Sequence, residues 1–525
     1  MTSFLDRLRR GDIGAAAIIV AAGILISRFL GIIRDMVFAG MLGADGVTDQ
    51  YVAAFRIPDF ANYLLAGGFL TITFIPIFAR YMASDDEDEA WMGFTAILRW
   101  LAIAITIIIV AAWLVTPWVI TTLYPDFTPE QITGTITLTR VILPAQFAFV
   151  VGALFTAVQY AKGVFTIPTL APIIYNAAII LGGVLWAAFT GEPDPAGFIW
   201  GALAGAFVGN LLLQVWGARR VGMRLERKAS WTHPAVRAYV LIALPLMIGQ
   251  SIVALDEVFM SVFGAMTGEG AQTVLQYGRR TMFVPVGVIA QATAVAAYPT
   301  LARLFAEGNR PALLRTVNKS ITYVVVLSIG AAGAMAAMAL PIVRVLYERY
   351  AFTADDTAAV SSALFVYAFA IPIWGALQIL TRAFYSRRQM WTPVIVGTVV
   401  TMFAIPLYFL LQDRLGIDGV ALASVVSLLV YTLTLAAIWY RPVDARQGMR
   451  SVLTSVGRAI PLAVPAAIAA GAVSWAIATG ISGASWIAAL IALVVGSAVF
   501  VGVALGLGGV LYDWLSRRSE ATGAA

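Results

Sequence analysis

The sequence predicts an all-α membrane protein of fourteen transmembrane helices: two six-helix lobes in a parallel pseudo-twofold repeat, plus a C-terminal helix pair. Three observations carry this. Of 525 residues, 61% are hydrophobic and only 12% charged, against about 25% charged in soluble domains, which excludes a water-soluble enzyme. Long apolar runs alternate with charged or Pro/Gly breaks, and at roughly 20 apolar residues per crossing the chain is long enough for a large polytopic bundle. Landmark residues also recur at a nearly constant offset.

Taken in order, the runs place spans at about 13–41, 50–82, 92–122, 132–160, 164–190, 197–218, 236–264, 271–302, 316–346, 357–382, 392–412, 417–440, 456–480 and 484–512. The first follows Arg7, Arg9 and Arg10, a start that a signal peptide shares. Its apolar stretch is too long for that, and no small-residue cleavage site closes it, so it reads as a retained helix. The acidic run Asp85-Asp86-Glu87-Asp88-Glu89 between spans 2 and 3 reads as solvated charge rather than as a glycosyltransferase metal motif. The loops Tyr124–Gln131, Gly191–Ala196 and Asp413–Gly416 are too short to hold an extracellular catalytic domain. Most of the 34 Lys and Arg residues fall in the other connections. The positive-inside rule then puts both termini of a multi-pass protein in the cytoplasm. The net charge of +6 is thus an insertion signal, and no nucleic-acid partner is expected.

The repeat rests on two landmarks. Arg56 precedes Pro76-x-x-Ala79-Arg80 by twenty residues, and Arg280 precedes Pro299-x-x-Ala302-Arg303 by nineteen. Tyr160 precedes Pro168 by eight residues, as Tyr385 precedes Pro393. Six spans per unit is even, so both lobes enter the membrane in the same direction. This divides the chain into an N-terminal lobe (1–220), a C-terminal lobe (221–445) and an appended helix pair with a tail (446–525). With both lobes in one polypeptide, a monomer suffices for a cavity between them.

Ionisable side chains at membrane depth are expensive and mark hydrated cavities. Here they gather on spans 1–2 (Ser27, Arg28, Arg34, Asp35, Asp49, Arg56, Asp59) and on spans 7–8 (Gln250, Asp256, Glu257, Gln272, Gln276, Arg279, Arg280), the equivalent pairs of the two repeats. Ser27, Gly31 and Arg34 share one helical face, and so do Gln272, Gln276 and Arg280. Interhelical salt bridges that merely hold the bundle together are the competing explanation. Arginine rather than lysine favours a ligand whose oxygens match a planar fork, phosphate or carboxylate. Arg34 and Arg280 rank first as anion contacts, with Arg28, Arg56 and Arg279 next. Ser27, Asp35, Asp49, Asn62, Gln276 and Asp256 are expected to line or gate the polar cavity, and Arg140 to be structural.

The chain has no cysteine, its one histidine is His233, and its three lysines (Lys162, Lys228, Lys319) follow no glycine-rich phosphate loop. No metal site, cofactor or ATP hydrolysis is expected. A coupling ion stays open.

The segment Ser27-Arg28-Phe29-Leu30-Gly31-Ile32-Ile33-Arg34-Asp35 resembles the first-span signature of the MurJ/MviN lipid II flippases. Thr48-Asp49-Gln50, Phe55-Arg56-Ile57-Pro58, Phe74-Ile75-Pro76, Arg280 before Pro285, Phe352-Thr353 and Phe384-Tyr385-Ser386-Arg387 before Thr392-Pro393 continue the similarity. The resemblance implies a transporter, not an enzyme, within the superfamily that includes multidrug antiporters and polysaccharide flippases. It implies a polyprenyl-pyrophosphate glycolipid, lipid II, as partner, moved from the inner to the outer leaflet. Arg34 and Arg280 then match pyrophosphate-holding arginines, and Ser27, Arg28 and Asp49 match residues required on the outward side of the cavity. Spans 13–14 correspond to a groove for the polyprenyl tail. One departure stands out: Asn62 and Gly67 occupy positions where the family often has arginine and glutamate. Competing functions are export of another polyprenyl-linked glycan, a cation antiporter using Asp256 and Glu257, and a membrane glycosyltransferase.

Overall fold

A computed structural model describes residues 13–65, 69–83, 86–387, 389–480 and 486–523, and these form helices joined by turns, with no strand among them. They divide into two compact units, Met1–Gly270 and Ala271–Ala525.

The first unit contains α1 (Ile13–Leu42), α2 (Gly46–Ala54), α3 (Arg56–Leu65), α4 (Phe69–Ala83), α5 (Glu87–Leu123), α6 (Pro129–Ile142), α7 (Ala145–Ala161), α8 (Thr166–Thr190), α9 (Pro195–Gly205), a π-helical turn (Ala206–Leu212), α10 (Leu213–Arg220) and α11 (Pro234–Ala265). Local chemistry sets most of the boundaries. Asp86 caps α5 by accepting from the Glu89 N–H at 3.0 Å, and Thr128 with Gln131 forms a capping box on α6 ahead of Pro129. The expected single span 50–82 is broken after Phe55. Pro58, third in α3, has no N–H to offer the previous turn, so a new helix starts at Arg56.

The core of this unit packs Phe74, Phe78, Trp91, Phe94, Leu154 and Phe155 against Tyr239 and Ala243 of α11. Helix α11, expected to open the second lobe, therefore sits within the first compact unit, and its Ser261 shares a 2.8 Å hydroxyl contact with Tyr124. Between α7 and the π-turn the backbones nearly touch: a Cβ on Gly152 would stand 1.6 Å from the Asn210 carbonyl oxygen. Such small-residue contacts are how helices associate in lipid, where apolar burial drives nothing.

The second unit runs α12 (Ala271–Val286), a π-turn (Gly287–Gln291), α13 (Ala292–Ala306), α14 (Arg310–Ala337), α15 (Ala339–Tyr347), α16 (Ala354–Ala368), α17 (Ala370–Ser386), α18 (Trp391–Trp439), α19 (Val443–Gly480) and α20 (Trp486–Gly523). Gly416, with φ 57° and ψ −131°, separates α18 into the two spans the sequence expects. The appended pair packs side by side, with Ser474 of α19 donating to the Ala492 carbonyl at 3.0 Å. Helix α14 packs along α19, and α15 along α20.

Among the described residues, eight helices are long and apolar enough to cross a membrane, nine if the 44° bend between α16 and α17 lies within one span. Large apolar side chains point outward from them, among them Leu114, Phe189 and Phe403, which are 64%, 86% and 79% exposed. Surfaces this apolar need lipid around them.

Candidate functional site

The polar residues of α1 meet Asn176 of α8. Arg34 donates from Nε and Nη2 to Asp35 Oδ1 at 3.0 and 2.8 Å, and from Nη1 to Asn176 Oδ1 at 2.9 Å. Asn176 in turn donates from Nδ2 to the Pro172 carbonyl at 2.9 Å and, at longer range, to Ser27. Next to this network, Phe38 wedges its ring between Tyr51 and Phe198, at 4.4 and 4.9 Å, and so fixes this part of α1 against α2 and α9.

A guanidinium carries five N–H groups. Three are engaged here, so two remain, and a fifth of the Arg34 side chain is exposed. The result is a positioned, partly open cation that can grip an oxyanion without first reorganising. Asp35 is taken up in aiming it, so part of the positive charge on this face is already balanced.

A second cluster ties α2 to the end of the unit. Asp49, 1% exposed, accepts the Gly270 N–H at 2.8 Å through Oδ2. Gly46 lies so close to Gln131 and Glu269 that a Cβ there would meet Gln131 Nε2 at 2.4 Å. Arg56 is 4% exposed and faces Glu257 Oε2 at 3.6 Å. Its guanidinium is sealed in the bundle rather than open to a ligand. The expected headgroup contact is thus replaced, at this position, by a tie between α3 and α11.

Asn62 donates to Gln146 Oε1 at 3.0 Å, joining α3 to α7. Gly67 lies outside the described residues. Arg28 is exposed on α1. Asp256 lies half-buried on α11, next to Glu257. In the second unit, Arg280 and Gln276 are half-buried on α12. Arg279, by contrast, is 5% exposed and packs over the Phe283 ring at 5.6 Å. The same helix is fixed by Thr281, whose hydroxyl meets Tyr347 at 3.1 Å, and by Tyr277, whose ring packs on Tyr347 and Phe352. Arg140 stacks on Trp113 at 4.1 Å and donates to its carbonyl.

Sequence reasoning passed over Asn176. The available signal was its isolation: it is the only amide in the apolar 25-residue helix α8. The acidic run is also more than solvated charge. Glu87 pairs with Lys162 at 3.3 Å, Asp88 with Arg224 at 3.7 Å, and Glu89 with His233 Nε2 at 2.9 Å. His233 also accepts the Ala235 N–H at Nδ1, capping α11, so its proton sits on Nε2. Among the described residues, no group of three or more His, Cys, Asp or Glu side chains is placed to hold a metal ion.

Comparison with known proteins bears on this arrangement. The sequence profile described as "Lipid II flippase MurJ" matches residues 38–494. A probable lipid II flippase MurJ of Rhizobium meliloti (strain 1021) is 28% identical over 524 residues, covering 96% of both chains. One from Vibrio cholerae is 26% identical over 451 residues, covering 81% of this chain and 85% of the relative. Among solved structures, "Lipid II flippase MurJ, inward closed conformation" superposes with a TM-score of 0.73 at 19% identity, covering 95% of this chain and 99% of the other. An inward-facing multidrug resistance MATE family transporter of the MOP superfamily gives a TM-score of 0.62 at 15% identity, covering 83% and 98%.

Proposed function

Because the chain belongs to the lipid II flippase MurJ family, a family of transporters rather than enzymes, we propose that it carries lipid II across the bacterial inner membrane, from the cytoplasmic to the outer leaflet. The observation that supports this best is Arg34: a guanidinium aimed by Asp35 and Asn176 that still has two N–H groups to offer. A pyrophosphate presents oxygens that such a fork engages in pairs. Arg34 from the first lobe and Arg280 from the second are the headgroup contacts. Arg28, exposed on α1, assists at the mouth, and the Asp49–Gly270 contact is a gating element. The polyprenyl tail stays in lipid along α19 and α20.

Transport proceeds by alternating access: the headgroup enters from the cytoplasmic side, that side closes, and the outer side opens. The membrane potential supplies the direction. Two negative charges leaving an inside-negative compartment gain roughly 4.6 kcal/mol per 100 mV, which makes a nucleotide unnecessary. Both termini lie in the cytoplasm, and one copy of the chain completes the path.

Depletion of the protein in cells tests the substrate. Lipid II accumulates in the inner leaflet if the reading holds. Accumulation of a different polyprenyl-linked glycan, with lipid II unchanged, reassigns the cargo.

A further inference from the structure

The connection between α10 and α11, residues 221–233, contains no helix or strand, yet it is held rigidly to α5. Arg99 donates from Nη1 to the Ala229 carbonyl at 2.7 Å, and from Nη2 to the carbonyls of Glu226 and Arg227 at 3.2 and 3.1 Å. Trp100 Nε1 donates to the Trp231 carbonyl at 2.9 Å, and the two indoles meet edge to face at 5.7 Å. Thr95 Oγ1 accepts the Glu226 N–H at 3.0 Å. An arginine engaged with three backbone carbonyls takes no part in ion pairing; its effect is to fix the course of the chain.

What that chain presents is basic. Arg219, Arg220, Arg227 and Lys228 are exposed, and none of the four is ion-paired among the described residues. Arg224 is neutralised separately by Asp88. Arg220 stacks its guanidinium 3.8 Å from the centre of the Trp216 ring. Between these cations Leu225, Trp231, Trp100 and Trp216 each leave about half their surface open. Indoles of this kind settle at the boundary between headgroups and acyl chains. The neighbouring cations are thereby held at headgroup level, at a surface where anionic lipids attract them.

We propose that this platform is a docking site for anionic glycerophospholipid headgroups of the leaflet it abuts. The phosphodiester meets a planar guanidinium fork, while Leu225 and Trp231 enter the glycerol region; a soluble anion has no use for that apolar half. The proposal is independent of what the protein transports, since none of these side chains belongs to the Arg34 network.

The full chain in detergent, examined by native mass spectrometry with added phosphatidylglycerol or phosphatidylcholine, tests it. Wild-type protein is expected to retain phosphatidylglycerol preferentially. Replacing the four cations together (R219Q, R220Q, R227Q, K228Q) is expected to lower that preference on the order of tenfold. Arg99→Gln keeps all four charges but releases the segment, and is expected to lower it several-fold. A control that removes three cations at the start of α19 (R446Q, R450Q, R458Q) is expected to keep it. Where the fourfold variant is not monodisperse, R227Q with K228Q carries the same test. An unchanged preference in the cation variants overturns the proposal. So does equal retention of the two lipids with displacement by inorganic pyrophosphate, which assigns the platform to a free anion.

Discussion

Arg56 and Arg280 occupy matching places in the two halves of the chain, each about twenty residues ahead of a Pro-x-x-Ala-Arg motif, yet the fold uses them differently. In the first unit, proline follows the arginine two residues later. The helix breaks there, and Arg56 becomes the first residue of a short new helix, 4% exposed and facing Glu257. In the second unit the corresponding residue is Met282, so α12 continues past Arg280 to Val286 and yields only at the π-turn after Pro285. Arg280 stays half-buried along an intact helix. One proline thus separates a structural tie from a residue that keeps an accessible face, even though the residue type and the repeat position agree.

The largest effect is expected where a cation keeps an open face. Arg34→Ala and Arg280→Ala should each lower lipid II transport in reconstituted vesicles on the order of a hundredfold, the loss of two charge-assisted hydrogen bonds, with the folded protein still recovered from the membrane. Comparable transport by either variant and by wild type would erase the distinction from Arg56.

Moving the proline should show what it does. Met282→Pro places a residue without an N–H in the middle of α12, where Met282 is fully buried, and should cost about 3 kcal/mol, read as a fall in thermal midpoint. Pro58→Met, the reciprocal exchange, should be tolerated within about 1 kcal/mol.

Removing the acid beside Arg56 comes next. Glu257→Gln leaves a buried guanidinium short of its counter-charge and should destabilise by about 2 kcal/mol. An Arg56→Met, Glu257→Leu double variant should recover most of that. Additive losses in the double variant would mean the two side chains are not coupled.

Asn176→Ala should lower transport about tenfold by releasing Arg34. Asn176→Asp should lower it further, because a second carboxylate competes with the substrate for the same guanidinium. Smallest of all, His233→Ala removes the cap of α11 and its contact to Glu89, and should cost about 1 kcal/mol of stability with transport intact.

Much of this fold was legible in the sequence because lipid imposes strong rules. A run of twenty apolar residues has few alternatives to a helix, and among the described residues the expected spans fall in helices, two of them (392–412 and 417–440) within α18 on either side of Gly416. Arg34 stood out as a candidate for a related reason: charge at membrane depth is costly and rarely placed without a partner or a ligand. The partners were not legible. That Asp35 aims Arg34, its own chain neighbour, while Asn176 reaches it from a helix more than a hundred residues away, depends on how α1 and α8 pack, which no local pattern encodes. Burial was equally hidden: Arg28, Arg56 and Arg279 look alike as letters, and only packing leaves the first exposed and seals the other two. The break at Phe55 was readable from Pro58 alone, although hydropathy averages over it.

The most direct measurement is leaflet accessibility of a fluorescent undecaprenyl-pyrophosphate glycolipid in vesicles containing the full chain, assayed with an impermeant quencher. Wild-type protein is expected to bring the inner-leaflet half of the label into reach, and Arg34→Ala and Arg280→Ala to leave it protected. Wild-type vesicles that behave like empty ones, or variants that match wild type, would contradict the account.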